Sequence, residues 1–389
     1  MEFRFASDVE AFRSEVREFL DETLTDEFRN DPELVQEGGF SREFTRRLGQ
    51  RGWLTLAWPE EYGGQARSHF EQLAYNEEMA RSGAPGRAHM MAVSLVGPSI
   101  MLHGNDAQRA EYLPKIAAGE ICFCQGFSEP GAGSDLAGLQ LRATRDGDEY
   151  VVTGQKIWTS DAHRADFCWL GTRTDPDAPK HRGISTLILD MSSQGLSVHP
   201  LLSMGDHHHF NEFFLEEVRV PAENRVGQED RGWYYMTTTL DFERSGAAAF
   251  VAATQSLERT GRYFSEERPG GERDGDAQRR GDLADLIIAA TAGRWVSYRV
   301  VWLQSQNRVP NYESSMSKLF GATLSTKIAN LGVRVAGLYG QLTPASARAP
   351  LDGRIEDAYI WGAAAGIRGG TNEIQRNIIA TRGLGLPRG

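Results

Sequence analysis

Hydrophobic positions in the first part of the chain recur at helical spacing. Between Val9 and Leu20 an apolar residue follows every one to four positions, so these residues share one face of a helix. The ranges 68–81 and 106–118 carry the same amphipathic pattern. The pattern predicts a helical N-terminal domain over residues 1–120.

The pattern changes near Gly119, where short runs with strand character replace the helical period. Turn residues such as Asp146-Gly147-Asp148 separate the runs, and no helix of useful length fits between them. The alternation of a parallel βαβ fold is therefore absent, and a small antiparallel barrel or sandwich is predicted over residues 121–229. The predicted strands are 121–126, 139–145, 149–153, 167–171, 184–190, 196–199 and 213–220.

Helical periodicity returns after Gly232. Four long helices are predicted, and a four-helix bundle over residues 230–389 is their natural packing. The Gly- and Pro-containing insert 268–275 predicts a polar loop. The fold class is therefore mainly α with a central β domain. The four predicted helices are 233–264, 281–307, 313–340 and 355–367.

Composition and charge argue against several classes of protein. The net charge of -11 argues against nonspecific nucleic-acid binding, which needs a basic surface. No apolar run approaches the length of a membrane span, and the N-terminus lacks a signal core, so a cytoplasmic location is expected. Cys122, Cys124 and Cys168 give no even disulfide framework and suit buried thiols. The run 207–209 of three histidines is interpreted as a surface loop, and no metal site is predicted.

Four stretches together resemble the acyl-CoA dehydrogenase family, and their order and spacing match it from about residue 10 to residue 386. Single motifs of this kind are weak evidence, whereas four in order are specific. The first contains Gly131 and Gly133 but no third glycine and no strand–helix unit, which disfavours a dinucleotide fingerprint. The stretches are Ser128-Glu129-Pro130-Gly131-Ala132-Gly133-Ser134-Asp135, Gly154-Gln155-Lys156-Ile157-Trp158-Thr159-Ser160, Val218-Arg219-Val220-Pro221 and Gly369-Gly370-Thr371-Asn372-Glu373-Ile374-Gln375-Arg376.

The resemblance implies the family fold and FAD-dependent α,β-dehydrogenation of an acyl-CoA to the 2-enoyl-CoA. It also implies that electrons pass to an electron-transfer flavoprotein, and that the chain forms a homotetramer or homodimer. The amino-acid sequence is most similar to those of the actinobacterial group that includes steroid side-chain dehydrogenases. Some members of that group are heterotetramers of two related chains, so a related partner chain is a second possibility.

The same resemblance implies which residues bind FAD. Taken alone, the glycine-containing loop is compatible with a tight turn, Trp158 with core packing and Thr371 with a simple helix cap. In the family, the loop and Trp158 lie along the flavin, and the turn at Thr371 contacts the ADP portion. Ser134 is expected at the flavin phosphate or the bound CoA. The residues carried over are Phe127, Ser128, Gly133, Ser134, Trp158, Ser160, Arg268, Thr371 and Glu373.

The reaction requires a base for a weakly acidic α-proton, and a carboxylate in a dry site suits that task. Many family members carry a glutamate directly before the Gly-Thr of the last motif, where this chain has Gly369. Either the protein is not a dehydrogenase, or its base has moved. In the isovaleryl-CoA and long-chain branches a Glu-Arg pair on a C-terminal helix supplies the base, which matches Glu243-Arg244. Asp241 and Arg244 then lie beside the substrate; otherwise Glu243 is a solvated helix acid.

Two departures from the family pattern fall on the half of the FAD site that a neighbouring subunit completes. Arg268 stands in the usual Arg-x-x-Phe-Gly region, but the Phe-Gly is missing, and the later Gln-x-x-Gly-Gly region reads Arg334-Val335-Ala336-Gly337-Leu338. Two further hypotheses therefore stay open. One is a flavin oxidase or monooxygenase on the same fold, and the other is a subunit of a heteromeric dehydrogenase with an incomplete FAD site.

Overall fold

The computed structural model of the protein describes residues 4–31, 34, 39–240, 246–268, 270–271 and 273–387. Among them, no helix is both long and apolar enough to cross a bilayer. The main helices, in chain order, are α1 (Ser7–Thr23), α2 (Asp26–Arg29), α3 (Arg42–Gln50), α4 (His69–Ser82), α5 (Arg87–Met91), α6 (Gly97–His103), α7 (Asp106–Ala118), α8 (Gly232–Leu240), α9 (Ala247–Arg262), α10 (Asp276–Ser305), α11 (Tyr312–Ala336), α12 (Arg354–Ala364) and α13 (Asn372–Ile378).

The strands form a single sheet in the middle of the chain, as the resemblance implies. Seven of them lie in the order β6-β7-β3-β2-β4-β5-β8, and β1 pairs with β4 outside this path. Most neighbours are antiparallel, but β1 and β2 each run parallel to β4, which long connections allow. The strands are β1 (Phe123–Gly126), β2 (Arg142–Asp146), β3 (Glu149–Ser160), β4 (Phe167–Arg173), β5 (Ile184–Asp190), β6 (Leu196–Leu202), β7 (His208–Pro221) and β8 (Arg225–Val226).

One compact unit contains this sheet and consists of the described residues of 23–68 and 85–243. A cluster that includes Tyr150, Leu170 and Phe213 fills one side of the sheet. A second cluster joins the sheet residues Trp169 and Ile188 to the helices that follow Pro85. All three cysteines are buried. The sheet is thus covered by apolar residues and gives a rigid base for the loops at its edge.

The other compact unit consists of the described residues of 1–22, 69–84 and 244–389. Its core joins α9, α10, α11 and α12. Beside this core, Glu77 on α4 is fully buried and accepts hydrogen bonds from Arg294 at 2.9 Å and the Tyr298 hydroxyl at 2.7 Å. Arg13 on α1 lies 3.0 Å from the second oxygen of Glu77. The buried carboxylate is therefore compensated by two guanidinium groups, as a buried charge requires.

Two sequence predictions differ from the structure in detail. The predicted helix 233–264 is two helices, α8 and α9, and Gly246 immediately before α9 has φ +72°, a left-handed conformation that interrupts a helix. The run 207–209 is not a loop throughout, because β7 begins at His208. Helical period and turn residues are local signals, so they place elements well and their joints less well.

Candidate active site

A buried lysine ties the loop 127–135 to the sheet. Lys156 on β3 is fully buried, and its Nζ donates to the carbonyl oxygen of Phe127 at 2.9 Å and to the Glu129 carboxylate at 2.7 Å. The next residue, Ile157, donates its backbone N–H to the Ser128 carbonyl at 3.0 Å. The loop that the resemblance places along the flavin is therefore fixed to β3 by two consecutive carbonyl groups.

Glu129 links that loop to a third segment. Its carboxylate also accepts the backbone N–H groups of Gln140 at 2.6 Å and Leu141 at 2.8 Å, just before β2. Burial lowers the pKa of Lys156, and the charge of Glu129 opposes that effect. Both residues lie inside motifs of the family resemblance, but the sequence predicts no role for either. Their positions inside the first two motifs were the only signal for the pair.

Trp158 lies in an irregular part of β3. The register with β7 shifts between Lys156 and Thr159, and Trp158 has φ +62°, rare for a residue with a side chain. The residue is 60% exposed, and its ring stands edge-on against Phe210, with centroids 5.9 Å apart. An exposed indole held in a bulge fits the predicted contact with a flavin better than core packing.

The remaining predicted residues of this unit differ in accessibility. Ser160, at the end of β3, and Ser128 are partly buried, while Gly133 and Ser134 are exposed. Phe127 is buried in the cluster that joins sheet and helices, so its ring is not available to stack on a cofactor. Only its backbone can face a flavin. The resemblance identified the position but could not show where the ring points.

We expect Gly133→Ala to weaken FAD binding without destabilising the fold. A Cβ at Gly133 would meet no atom of this chain within 4 Å, so a methyl group there can only obstruct a bound molecule. Gly281 on α10 is equally open and lies outside the loop 127–135, which makes Gly281→Ala the matched control. Fluorescence titration of the apoprotein with FAD should give a dissociation constant at least about tenfold higher for G133A. Equal FAD affinity in both variants would contradict the role of Gly133.

In the second unit, the last motif forms the predicted helix start. The Thr371 hydroxyl accepts the Ile374 N–H at 3.2 Å, and Glu373 in the first turn of α13 lies 3.3 Å from Arg376. Gly369 has φ +65°, and a Cβ there would meet nothing within 4 Å. The position where many relatives carry their base is therefore a left-handed bend with open space beside it.

Arg268 is turned into its own chain. Its guanidinium contacts both carboxylate oxygens of Asp276, donates to the Gly271 carbonyl at 3.1 Å and lies 4.8 Å from the Phe264 ring centroid. The side chain is 4% exposed, and the ion pair holds the pKa of Asp276 well below its usual range. The predicted contact with a neighbour's FAD would require Arg268 to leave this arrangement.

The predicted site residues thus fall into two groups in different units. The unit with the sheet carries those of the loop 127–135 and of β3, and the other carries Arg268, Thr371 and Glu373. Asp241, Glu243 and Arg244 lie outside the described residues. A cavity of about 710 Å³ beside His103 and Tyr235 is not lined by any predicted site residue, so it does not locate the reaction.

Comparison with known proteins covers nearly the whole chain. Models of the N-terminal, middle and C-terminal domains of acyl-CoA dehydrogenases match residues 6–120, 124–218 and 230–384. Acyl-CoA dehydrogenase FadE26 of Mycobacterium tuberculosis is 37% identical over 400 residues, covering 100% of this chain and 99% of the relative. The solved Tcur3481-Tcur3483 steroid ACAD is 34% identical with a TM-score of 0.90. The ChsE4-ChsE5 complex from Mycobacterium tuberculosis is 36% identical with a TM-score of 0.89; in both cases all of each chain is covered.

Proposed function

Because the chain belongs to the acyl-CoA dehydrogenase family of FAD-dependent oxidoreductases, we propose that it converts an acyl-CoA thioester to the 2-enoyl-CoA. The observation that supports this most is the loop 127–135, which Lys156 anchors to β3 and which is open at Gly133, together with the exposed Trp158 on β3. This arrangement offers backbone and an aromatic ring to a flat cofactor.

The residues of this chain have different proposed roles in the reaction, according to their chemistry. Bound FAD supplies the acceptor for the hydride that leaves the β-carbon. Glu243 takes the α-proton, since Gly369 has no side chain that could do so. Trp158 and the loop 127–135 position the ring, and Ser134, Asp241 and Arg244 contact the CoA ester. Charge that develops on the thioester oxygen needs hydrogen-bond donors nearby, as in other enolate-forming reactions.

The substrate we propose is a bulky acyl-CoA, polycyclic or branched. Its support is the full-length similarity to a solved protein described as a steroid ACAD. We further propose an electron-transfer flavoprotein as the acceptor. Two of the similar structures carry the names of two chains, Tcur3481-Tcur3483 and ChsE4-ChsE5, which makes a related second chain a candidate partner.

One observation favours a second candidate function, a subunit whose FAD site is incomplete without a related chain. Arg268 is committed to Asp276, so it offers no free guanidinium to a neighbour's cofactor. A homomeric assembly would depend on that contact, whereas a heteromeric one could take it from the partner. The two candidates differ in whether the isolated chain retains FAD.

The experiment that tests the function is anaerobic mixing of the purified yellow protein with a series of acyl-CoAs. We expect the visible absorbance of the oxidised flavin to bleach with polycyclic or branched acyl-CoAs, and the enoyl-CoA to form in equal amount. A dye or an electron-transfer flavoprotein should then restore the colour.

Each other outcome points elsewhere. Rapid recovery of colour in oxygen with release of peroxide would show an oxidase or monooxygenase. A colourless chain that gains flavin only when a related chain is added would establish the incomplete subunit. Bleaching by none of the acyl-CoAs in a protein that holds FAD would contradict dehydrogenation.

A further inference from the structure

One arginine side chain binds the turn that follows β3. Arg87, the first residue of α5, contacts both carboxylate oxygens of Asp161, with Nε 3.3 Å from Oδ2 and Nη2 bonded to Oδ1. The same Nη2 contacts Nδ1 of His209. The side chains are 25% exposed for Arg87, 11% for Asp161 and 21% for His209. The three residues therefore form a mostly buried polar cluster within one compact unit.

Asp161 holds an uncommon conformation in this cluster. Its φ is +56°, its N–H donates to the His209 carbonyl at 3.0 Å, and its own carbonyl accepts the Arg164 N–H at 3.0 Å. Burial would raise the pKa of Asp161, but the neighbouring His209 side chain and the charge of Arg87 outweigh it and lower the pKa. A positive φ is uncommon for a residue with a side chain, and the surroundings of Asp161 must keep it in this conformation. Arg87 is a large part of those surroundings.

The cluster is connected to Trp158 by direct contacts. The His209 ring packs against Phe210 with centroids 4.6 Å apart, and Phe210 stands edge-on to Trp158. Phe210 also pairs with Ser160 in the ladder between β3 and β7. Trp158 and Ser160, the two predicted flavin contacts on β3, therefore both contact or pair with Phe210. Phe210 in turn packs against His209, which Arg87 contacts.

Other charged and titratable groups surround the turn without duplicating this role. His163 stacks on His208 with centroids 3.9 Å apart, and burial lowers the pKa of His163 to about 4. His208 is bonded to Asn211 at 2.8 Å. This pair supports the start of β7, whereas Arg87 contacts both Asp161 and His209.

We propose that Arg87 is a positioning residue for the flavin, which holds Trp158 and Ser160 in place through Asp161 and His209. The inference rests on the proposed function only in taking Trp158 and Ser160 as flavin contacts. Without the guanidinium, Asp161 is a mostly buried carboxylate that has lost the cation of Arg87, and the left-handed turn loses one of the contacts that fix it. The bulge at Trp158 then relaxes, and the ring no longer presents a fixed surface.

The test compares Arg87→Met with Arg225→Met. Arg225 is a matched control: its side chain is 27% exposed, it lies in the same unit, and it pairs with Glu229 and the Tyr150 hydroxyl, away from Trp158. The FAD dissociation constant is measured by fluorescence titration, together with the visible spectrum and midpoint potential of bound FAD. We expect R87M to raise the dissociation constant at least about tenfold and shift the spectrum, and R225M to change it less than about twofold.

Two further variants keep the test decisive. Arg87→Lys should recover only part of the affinity, because a lysine keeps the charge but cannot bridge Asp161 and His209 with a planar fork. Asp161→Asn, which is isosteric, should weaken FAD as R87M does, and the double variant should be no worse than either single one. Should R87M fail to fold, D161N carries the test alone.

The two possible failures are distinguishable. Wild-type FAD affinity and spectrum in R87M or D161N would overturn the positioning role, as would equal losses in R87M and R225M. Neither result would touch the dehydrogenase proposal. A wild-type protein that binds FAD but oxidises no acyl-CoA would contradict that proposal and leave the Arg87 measurement valid.

Discussion

Replacing Glu243 with glutamine is expected to remove turnover, by a factor of about 10²–10⁴ or more, while FAD stays bound. Glutamine has the size and shape of glutamate but cannot accept the α-proton. Stopped-flow mixing with the best acyl-CoA, under anaerobic conditions, measures the rate of flavin bleaching directly. The dissociation constants of FAD and substrate should change little, because the substitution removes an interaction needed only in the transition state.

The control for this variant is Glu258→Gln. Glu258 is an exposed acid on α9, and the loss of one surface carboxylate there should leave the bleaching rate unchanged. Bleaching by E243Q at the wild-type rate would show that another group removes the proton. Glu243 is proposed as the base because the open left-handed bend at Gly369 leaves room for a side chain but supplies no carboxylate.

The positions of single elements could be predicted from the sequence because their signals are local. The apolar period of 68–81 and 106–118 predicts helices, and α4 and α7 begin within one residue of those ranges. The pairing of β1 with β4 could not be predicted, since residues more than 40 positions apart form it through backbone groups that every residue has. Strand pairing is decided by packing of the whole sheet.

The candidate site shows the same division between local and distant information. Motif positions identified Trp158 and Gly133, and the structure leaves both accessible. Three other features depend on partners that no spacing rule selects. These are the burial of the Phe127 ring, the ion pair of Arg268 with Asp276 and the ion pair of Arg87 with Asp161. A motif identifies the position of a candidate residue, whereas the contacts of its side chain determine whether that residue can bind a cofactor.

The pair formed by Lys156 and Glu129 carries the second large prediction. We expect Lys156→Met to lower the free energy of unfolding by about 3–5 kcal/mol, because it leaves Glu129 buried without its cation. Glu129 is 9% exposed on its side chain, so water cannot replace the ammonium group. Urea unfolding measures the loss, and FAD affinity should fall with it, since the Phe127 carbonyl loses its donor.

The matched control is Lys180→Met. Lys180 pairs with Asp135 at 2.8 Å, but both side chains are more than half exposed, and an ion pair of that kind contributes about 0–1 kcal/mol. The double variant K156M/E129Q should be more stable than K156M alone, because it removes the uncompensated charge, although the Gln140 and Leu141 amides then lose a charged acceptor. Equal losses of unfolding free energy in K156M and K180M would contradict the view that a buried ion pair holds the loop 127–135 to the sheet.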